Sequence, residues 1–214
     1  MQRITCYCLV FCGLLFAASC NTPPTGNTAE ANQTPATGAN ATTADQSAND
    51  MSGRDYTVTT LDTTIKSPRK EMKATVDGVS ITVNYGSPAV NGRTIYGDLV
   101  PYGKVWRTGA NEATRITFGQ PVKVGTEGTT LEAGTYSLFT LPASKDDWTI
   151  IFNKTADQWG AYDYAEGDDV ARIKGTAKSS GAAAERMDFA VSGNEIQLMW
   201  SDLTISFPVA AAAK

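Results

Sequence analysis

The stretch DGVSITVNY, residues 77–85, decides the fold class of this chain. Its second part alternates apolar side chains with small polar ones, and the apolar positions are Val79, Ile81, Val83 and Tyr85. A period of two is the pattern of a strand with one buried face. Asp77-Gly78, directly before it, is a turn signal typical of β-hairpins. The stretch therefore predicts a turn followed by a half-buried strand.

Similar apolar runs recur further along the chain, at residues 114–118, 135–141, 148–153, 187–191, 195–200 and 203–209. Ser192-Gly193-Asn194 separates two of them as another short turn. Helical periodicity is nearly absent: we expect one helical turn at residues 158–164, and a flexible loop or short helix at residues 179–185. Several short strands with turn signals between them are typical of antiparallel sandwiches and barrels. The sequence predicts one all-β domain over residues 56–214, a single antiparallel β-sandwich or barrel-like domain.

The first twenty residues, MQRITCYCLVFCGLLFAASC, combine a positive charge at Arg3, an apolar run and a small-residue end. The run is shorter than the roughly 20 residues that span a bilayer, and the pattern is typical of a secretory signal peptide. Its end, Ala17-Ala18-Ser19-Cys20, resembles a bacterial lipobox, although Ala17 stands where that pattern usually has Leu. We expect residues 1–19 to be a lipoprotein signal peptide and Cys20 to be lipidated; the alternative is ordinary signal cleavage.

Residues 21–50 contain no Leu, Ile, Val, Met, Phe, Tyr or Trp. A segment with nothing to bury cannot offset its ordering entropy. Residues 20–55 are therefore predicted to be the lipidated cysteine followed by a disordered tether rich in Thr, Asn, Ala and Pro. No acidic run follows Cys20, whereas Bacteroidetes-type surface-export signals are acidic there. We expect a lipid anchor in the membrane and a periplasm-facing protein in the cell envelope.

Composition excludes several chemistries. The chain has no histidine, and its four cysteines lie at positions 6, 8, 12 and 20. The predicted mature domain therefore has neither a thiol nucleophile nor an imidazole base, which excludes histidine triads and histidine zinc sites. Carboxylate chemistry stays open. The net charge of −4 comes without a basic stripe, so we expect no nucleic-acid partner, and no cofactor or metal is predicted.

One candidate site lies in the glycine-rich stretch at residues 95–118. Arg107, Glu112 and Arg115 stand around a tight turn in which Gly109 and Asn111 are best able to adopt left-handed geometry. A structural ion pair within this group is one interpretation. The functional alternative has Arg107 and Glu112 flanking a groove, with Asn111 presenting its amide to a polar ligand.

A second candidate cluster is Trp159-Gly160-Ala161-Tyr162-Asp163-Tyr164. Aromatic rings beside polar groups suit a sugar-binding face, with Trp159, Tyr162 and Asp163 as its residues; alternatively the aromatics cap one end of the sandwich. Glu112 with an acid from residues 163–169 would be a carboxylate pair for glycoside hydrolysis. Asp168 and Asp169 are expected to be solvated acids rather than calcium ligands.

Several motifs carry a family resemblance. They are Ser67-Pro68-Arg69, GRTIYGDLVPYGKVWRTGANEATRITF at residues 92–118, AGTYSLFTLP at 133–142, WTIIFNK at 148–154 and WGAYDY at 159–164. Over roughly residues 65–209 the chain resembles the domain-of-unknown-function family 2911, found mainly in Bacteroidetes and relatives. The resemblance implies a secreted or lipid-anchored envelope protein, and it supplies no assigned activity.

Three functions are compatible with these observations. The first is a non-enzymatic envelope lipoprotein whose β-domain binds a glycan, cell-wall material or a protein. The second is a structural or assembly subunit without a small ligand, and the third is a carboxylate-based glycoside hydrolase. The absence of histidine and of a cysteine in the predicted mature domain weighs against an enzyme. Periodicity places Trp106, Trp148 and Trp200 inside, and Trp159 in a loop.

Overall fold

A computed structural model describes residues 55–213. Within this range the chain forms ten strands and one short 3-10 turn at Glu166–Asp168. The strands are β1 (Tyr56–Asp62), β2 (Arg69–Val76), β3 (Val79–Gly86), β4 (Thr114–Phe118), β5 (Val122–Val124), β6 (Thr129–Leu131), β7 (Gly134–Pro142), β8 (Asp147–Asn153), β9 (Asp169–Ser192) and β10 (Glu195–Ala211). The predicted all-β class is confirmed.

The strands form one sheet in the order β1-β2-β3-β4-β7-β8-β9-β10-β5-β6. Every pair of neighbours is antiparallel. The sheet is not closed, because β1 and β6 stand at its two edges. Most neighbours in the sheet are also neighbours in sequence, which is what short hairpin connections produce.

The predicted hairpin at residues 77–85 is present. Val76 pairs with Val79, so Asp77 and Gly78 are the only residues of the turn. Their φ angles are 51° and 76°, and positive φ at both central residues is the requirement of a tight type I′ turn. The apolar side chains of β3 are buried and its polar ones are more exposed, as the period of two predicts.

The C-terminal part of the chain differs from the prediction. The expected loop or short helix at residues 179–185 lies inside β9, and the two runs at 195–200 and 203–209 form one strand, β10. Register shifts around Ser201, which has a φ of 53°, let the paired strands continue through this region. The prediction was wrong because small side chains carry no periodicity, whereas Ser179 and Ala184 near the two ends of the segment pair with Leu203 and Ser201 of β10.

Apolar side chains from strands distant in the sheet order share one core. Met72 on β2, Ile81 on β3, Phe189 on β9 and Phe207 on β10 belong to the same buried cluster. Trp106, Trp148 and Trp200 also belong to it, as predicted, with Trp106 stacked on Trp200 at 5.7 Å between ring centroids. Each large side chain buried in this way stabilises the fold by about 1.5–3 kcal/mol. The stacked pair places the start of the turn after Trp106 beside Trp200 of β10.

The predicted signal peptide, lipidated Cys20 and most of the tether lie outside the described residues, so they stay predictions. No helix within residues 55–213 is long and apolar enough to cross a membrane.

Candidate functional site

The first candidate cluster lies on a turn between Trp106 and β4. Trp106 exchanges backbone hydrogen bonds with Thr140, at 2.8 and 2.9 Å, which anchors the start of the turn on β7. The Trp106 indole Nε1–H donates to the Gly109 carbonyl at 3.2 Å. At the far end, the Thr114 hydroxyl donates to the Thr108 carbonyl at 2.8 Å. These contacts hold the turn in a defined shape.

The left-handed positions of this turn are partly as predicted. Asn111 has a φ of 64°, but the other left-handed residue is Thr108, with a φ of 56°, and not Gly109. A Cβ on Gly109 would lie 2.9 Å from the Thr114 hydroxyl oxygen. Gly109 is therefore suited to its position by close packing, and the buried hydrogen bonds of Thr108 hold its less common backbone geometry.

The turn also packs closely against the end of β3, where the backbone of Ala110 approaches Gly86. A Cβ on Gly86 would lie 2.2 Å from the carbonyl oxygen of Ala110, a distance that no side chain tolerates. The backbone of the turn can touch the end of β3 only because Gly86 has no side chain.

Backbone pairing brings the two candidate clusters together. The Ala113 N–H donates to the Gln158 carbonyl at 2.9 Å, and the Gly160 N–H donates to the Asn111 carbonyl at 3.1 Å. Glu112 and Trp159 form an isolated antiparallel bridge between these bonds. The helical turn expected at 158–164 is absent: Trp159 pairs with Glu112, and residues 160–163 form a turn that is not helical. Gly160, at the start of this turn, has a φ of 68°.

Two aromatic side chains of the second cluster project into solvent. Trp159 is 59% exposed and Tyr162 is 84% exposed. The Tyr162 ring lies against Gly160, where an added Cβ would be 3.1 Å from the ring. The loop placement of Trp159 is confirmed, and the interpretation in which Trp159 and Tyr162 cap the core is wrong for both rings. Asp163 is also exposed beside them.

The ion pairs around the turn do not link Arg107, Glu112 and Arg115 to one another. Arg69 Nη1 at the start of β2 lies 2.8 Å from Glu112, and Arg115 Nη1 lies 2.5 Å from Asp157. The prediction of an ion pair among Arg107, Glu112 and Arg115 is therefore wrong. Glu112 and Arg115 are both ion-paired, but with residues from other parts of the chain. These residues line a cleft of about 290 Å³ that also includes Trp159.

Arg107 has no such partner. It is half-buried and takes part in no ion pair within residues 55–213, and its Nε is buried without a hydrogen-bond partner there. Burial holds the pKa of the Arg107 guanidinium below its usual value, and the nearby Tyr162 phenol acts weakly in the opposite direction.

A larger cleft of about 350 Å³ lies on the other side of Arg107. The residues that give it its chemical character are Lys66, Arg93, Trp106, Arg107, Asn111 and Trp200. No Asp or Glu lines it among the described residues. Lys66, Arg93 and Trp200 carried no signal as site residues in the sequence, because they come from separate parts of the chain that only the fold brings together.

The carboxylates near the aromatic cluster have structural partners. Glu166 lies 3.2 Å from Arg172, and Asp168 lies 3.1 Å from Lys154. Asp169 is not the solvated acid that was predicted: its side chain is 6% exposed and accepts hydrogen bonds from Arg172 and Tyr164. Burial and the bond to Asp169 raise the pKa of the Tyr164 phenol to about 12. Within residues 55–213 no group of three or more acidic side chains is arranged to hold a metal ion.

The fold and this geometry define an all-β domain with one open antiparallel sheet and two clefts that meet at a rigid turn. The chain belongs to the family described as "Protein of unknown function (DUF2911)", whose profile matches residues 67–209. The resemblance drawn from the motifs is thereby confirmed. Comparisons with curated proteins and with solved structures found no match.

Proposed function

We propose that this protein is a non-enzymatic binding module of the cell envelope, held at the membrane by a lipid on Cys20, and that its ligand is a glycan or cell-wall saccharide. The observation that carries the proposal is the pair of exposed aromatic rings, Trp159 and Tyr162, on a segment whose backbone is bonded to the Arg107 turn.

The aromatic pair has the properties that saccharide recognition requires. A flat ring offers its face to the C–H groups of a sugar, while neighbouring polar groups take the hydroxyls. Glu112 lines the same cleft as Trp159 and is paired with Arg69 at 2.8 Å, and Asp163 is an exposed acid next to Tyr162 in the chain. The Asn111 amide donates to the Ser67 carbonyl at 3.4 Å and lines the other cleft. The bridge between Glu112 and Trp159 fixes the backbone beneath Trp159, and a site that is already ordered loses less entropy on binding.

A structural or assembly role is the second candidate, because β1 is an edge strand with exposed apolar side chains. Val58 is 38% exposed and Leu61 is 50% exposed. An unpaired edge can accept a strand from another protein. No observation in the described residues favours the glycoside hydrolase, since Glu112 and Glu166 are both ion-paired with arginine.

The proposal is tested by ligand-induced thermal stabilisation of the full chain in detergent micelles, against a panel of glycans and peptidoglycan fragments. A ligand at 100 times its Kd stabilises the folded state by about 2.7 kcal/mol. Trp159→Ala and Tyr162→Ala should abolish the shift, while Val58→Ala, an exposed apolar residue on β1, should keep it. A shift that survives both aromatic substitutions, or no shift across the panel, would reject the saccharide proposal.

The lipid anchor has its own test. We expect wild-type protein to sediment with membranes and to incorporate a labelled fatty acid, and Cys20→Ser to lose both properties. Label retained in Cys20→Ser would contradict lipidation at this position.

A further inference from the structure

We infer that the larger cleft, between Arg107 and Arg93, binds the carboxylate or phosphate group of a small polar ligand, with Arg107 as its main receptor. This goes beyond the proposed function, because it assigns a charged ligand group to a separate cleft and does not depend on Trp159 or Tyr162.

The cleft is lined by positively charged side chains. Lys66, Arg93 and Arg107 contribute three cationic side chains, and no carboxylate of the described residues lines the cleft. Glu185 is exposed and does not line the cleft, and it accepts the N–H of the lining residue Asn91 at 2.9 Å. Cations grouped in a concave surface attract an anion from solution.

Arg107 is only partly solvated, and its side chain has no ion-pair partner within residues 55–213. Arg93 donates to two backbone carbonyls, those of Val90 and Ala89, whereas no acceptor within residues 55–213 reaches the buried Nε of Arg107. A buried donor without an acceptor is unfavourable. Burial also lowers the pKa of Arg107. An oxyanion in the cleft would supply the missing charge beside the half-buried guanidinium, whose planar shape suits carboxylates and phosphates.

The indole N–H groups of the buried tryptophans differ in whether they have an acceptor. The indole N–H of Trp106 donates to Gly109 at 3.2 Å, and that of Trp148 donates to Lys145 at 2.9 Å. Trp200 lines the cleft, and its buried Nε1 has no partner among the described residues. Buried polar groups are nearly always paired. The cleft is therefore lined by two residues with an unused N–H donor, Trp200 and Arg107.

The size of the cleft limits the ligand. Pockets for small molecules measure about 300–1,000 Å³, and a volume near 350 Å³ stands at the small end of that range. This suits a group as large as one acidic or phosphorylated sugar. Carboxylates and phosphates share the chemistry that Arg107 recognises, so the experiment separates them.

The test is isothermal titration calorimetry of the full chain in uncharged detergent micelles, at low salt. The probes are glucuronate, glucose 6-phosphate and glucose, which share a sugar ring and differ in charge. We expect at least one anionic sugar to bind roughly tenfold or more tighter than glucose, because a charged hydrogen bond contributes that much. Glucuronate binding would identify a carboxylate ligand, and glucose 6-phosphate binding a phosphate ligand.

Three substitutions make the test specific. Arg107→Gln should weaken binding of the anionic sugar roughly 10- to 100-fold, and Arg107→Lys should weaken it less, because it keeps the charge but loses the planar fork. Lys66→Gln, at an exposed position that cannot disturb folding, should weaken it by a smaller factor. Lys178→Gln, an exposed lysine on β9, removes the same charge elsewhere and should leave affinity unchanged within about twofold.

Two results would overturn the inference. One is that neither anionic sugar binds more tightly than glucose. The other is that Arg107→Gln leaves the affinity for the anionic sugar unchanged, whatever Lys66→Gln does. Glycan binding that requires Trp159 but shows no preference for charge would reject this inference and leave the proposed function standing. Arg107-dependent binding of an anion that is insensitive to Trp159→Ala and Tyr162→Ala would support the inference and leave the proposed aromatic site to the glycan panel.

Discussion

Lys70 and Arg107 are both half-buried cations of the same β-domain, yet their surroundings are opposite. Lys70 Nζ donates to both carboxylate oxygens of Asp188, at 2.8 and 3.0 Å, and the Tyr85 hydroxyl donates to the same carboxylate at 2.5 Å. This paired cluster joins β2 and β3 to β9. Arg107 has no carboxylate and no acceptor for its Nε within residues 55–213.

The difference separates a cation that serves the fold from one that is available to a ligand. A half-buried charge with its partner in place contributes to stability, and removing that partner leaves an uncompensated charge. A half-buried charge without a partner opposes stability, and functional sites are where such groups are found. The following predictions distinguish the two cases, in order of decreasing effect.

Asp188→Ala should destabilise the domain by about 2–4 kcal/mol, because it leaves both Lys70 and the Tyr85 hydroxyl without their acceptor. Chemical denaturation of the full chain measures this free energy. Asp202→Ala is the matched control: it breaks an ion pair with Lys145 in which both side chains are 50% exposed, and surface pairs contribute about 0–1 kcal/mol. Equal effects of the two substitutions would contradict the importance of the paired cluster.

Gly86→Ala should destabilise the domain by about 1–3 kcal/mol, because the added Cβ pushes the Arg107 turn away from β3. Thermal unfolding measures the loss. The control is Gly181→Ala on β9, where a Cβ meets nothing within 4 Å; this change should be neutral or slightly stabilising. A fully stable Gly86→Ala protein would show that the turn does not need this contact.

Alkaline pH should weaken the paired cluster. Burial, followed by the charge and hydrogen bond of Asp188, raises the pKa of Tyr85 above its ordinary value. The folded state therefore holds this proton more tightly than the unfolded state, so the stabilisation is complete below about pH 10 and declines above it. The decline is at most about 1.4 kcal/mol per pH unit for one group.

The check is denaturant unfolding measured at several pH values around that point. Tyr85→Phe should flatten the decline, and Arg107→Leu should leave it unchanged. An identical slope in wild type and Tyr85→Phe would show that Tyr85 is not responsible. Tyr96, Tyr136 and Tyr164, whose pKa values are also raised, would then be the groups to compare.

Arg107→Leu should leave stability unchanged or raise it by up to about 1 kcal/mol, because it removes a half-buried charge that has no partner. The same variant should lose anion binding. Arg69→Leu is the control on the other cleft: it removes the partner of Glu112 and should lower stability by about 0–1 kcal/mol. A large loss of stability in Arg107→Leu would mean that Arg107 has a structural role.

Trp159→Ala should change the free energy of unfolding by less than about 0.5 kcal/mol, since the ring is mostly in solvent. Denaturant unfolding measures this free energy, with Trp148→Ala as the comparison. Trp148 is fully buried, and truncating such a side chain costs about 3–5 kcal/mol. A strongly destabilised Trp159→Ala protein would place this ring in the fold rather than at a binding surface.

Much of the fold was predictable where the chain alternates strictly. The alternation in β3, the Asp-Gly turn before it and the ends of β4 and β8 depend on residues that are neighbours in sequence. The predicted boundaries of these three strands therefore agree with the structure to within about one residue. Residues 179–185 were not predictable, because Ala, Ser and Gly carry no apolar pattern, and the pairing of Ser179 and Ala184 with β10 depends on residues remote in sequence.

The candidate site was half-predictable for the same reason. Arg107 and Asn111 are close in sequence, and so are Trp159 and Tyr162. The sequence pattern therefore indicated each group separately. Their meeting depends on the bridge between Glu112 and Trp159, which joins positions about fifty residues apart.

The sequence by itself determined the all-β class, the family, the burial of Trp106, Trp148 and Trp200, and the chemistries that a domain without histidine cannot perform. These depend on composition and on residues next to each other in the chain. Only the tertiary structure decided which cation has a partner. Ion pairing depends on the distance between charges on segments that are remote in sequence. Nothing local in the sequence shows that Asp188 faces Lys70 or that Glu112 faces Arg69. Nor does it show that Arg107 has no carboxylate partner within residues 55–213.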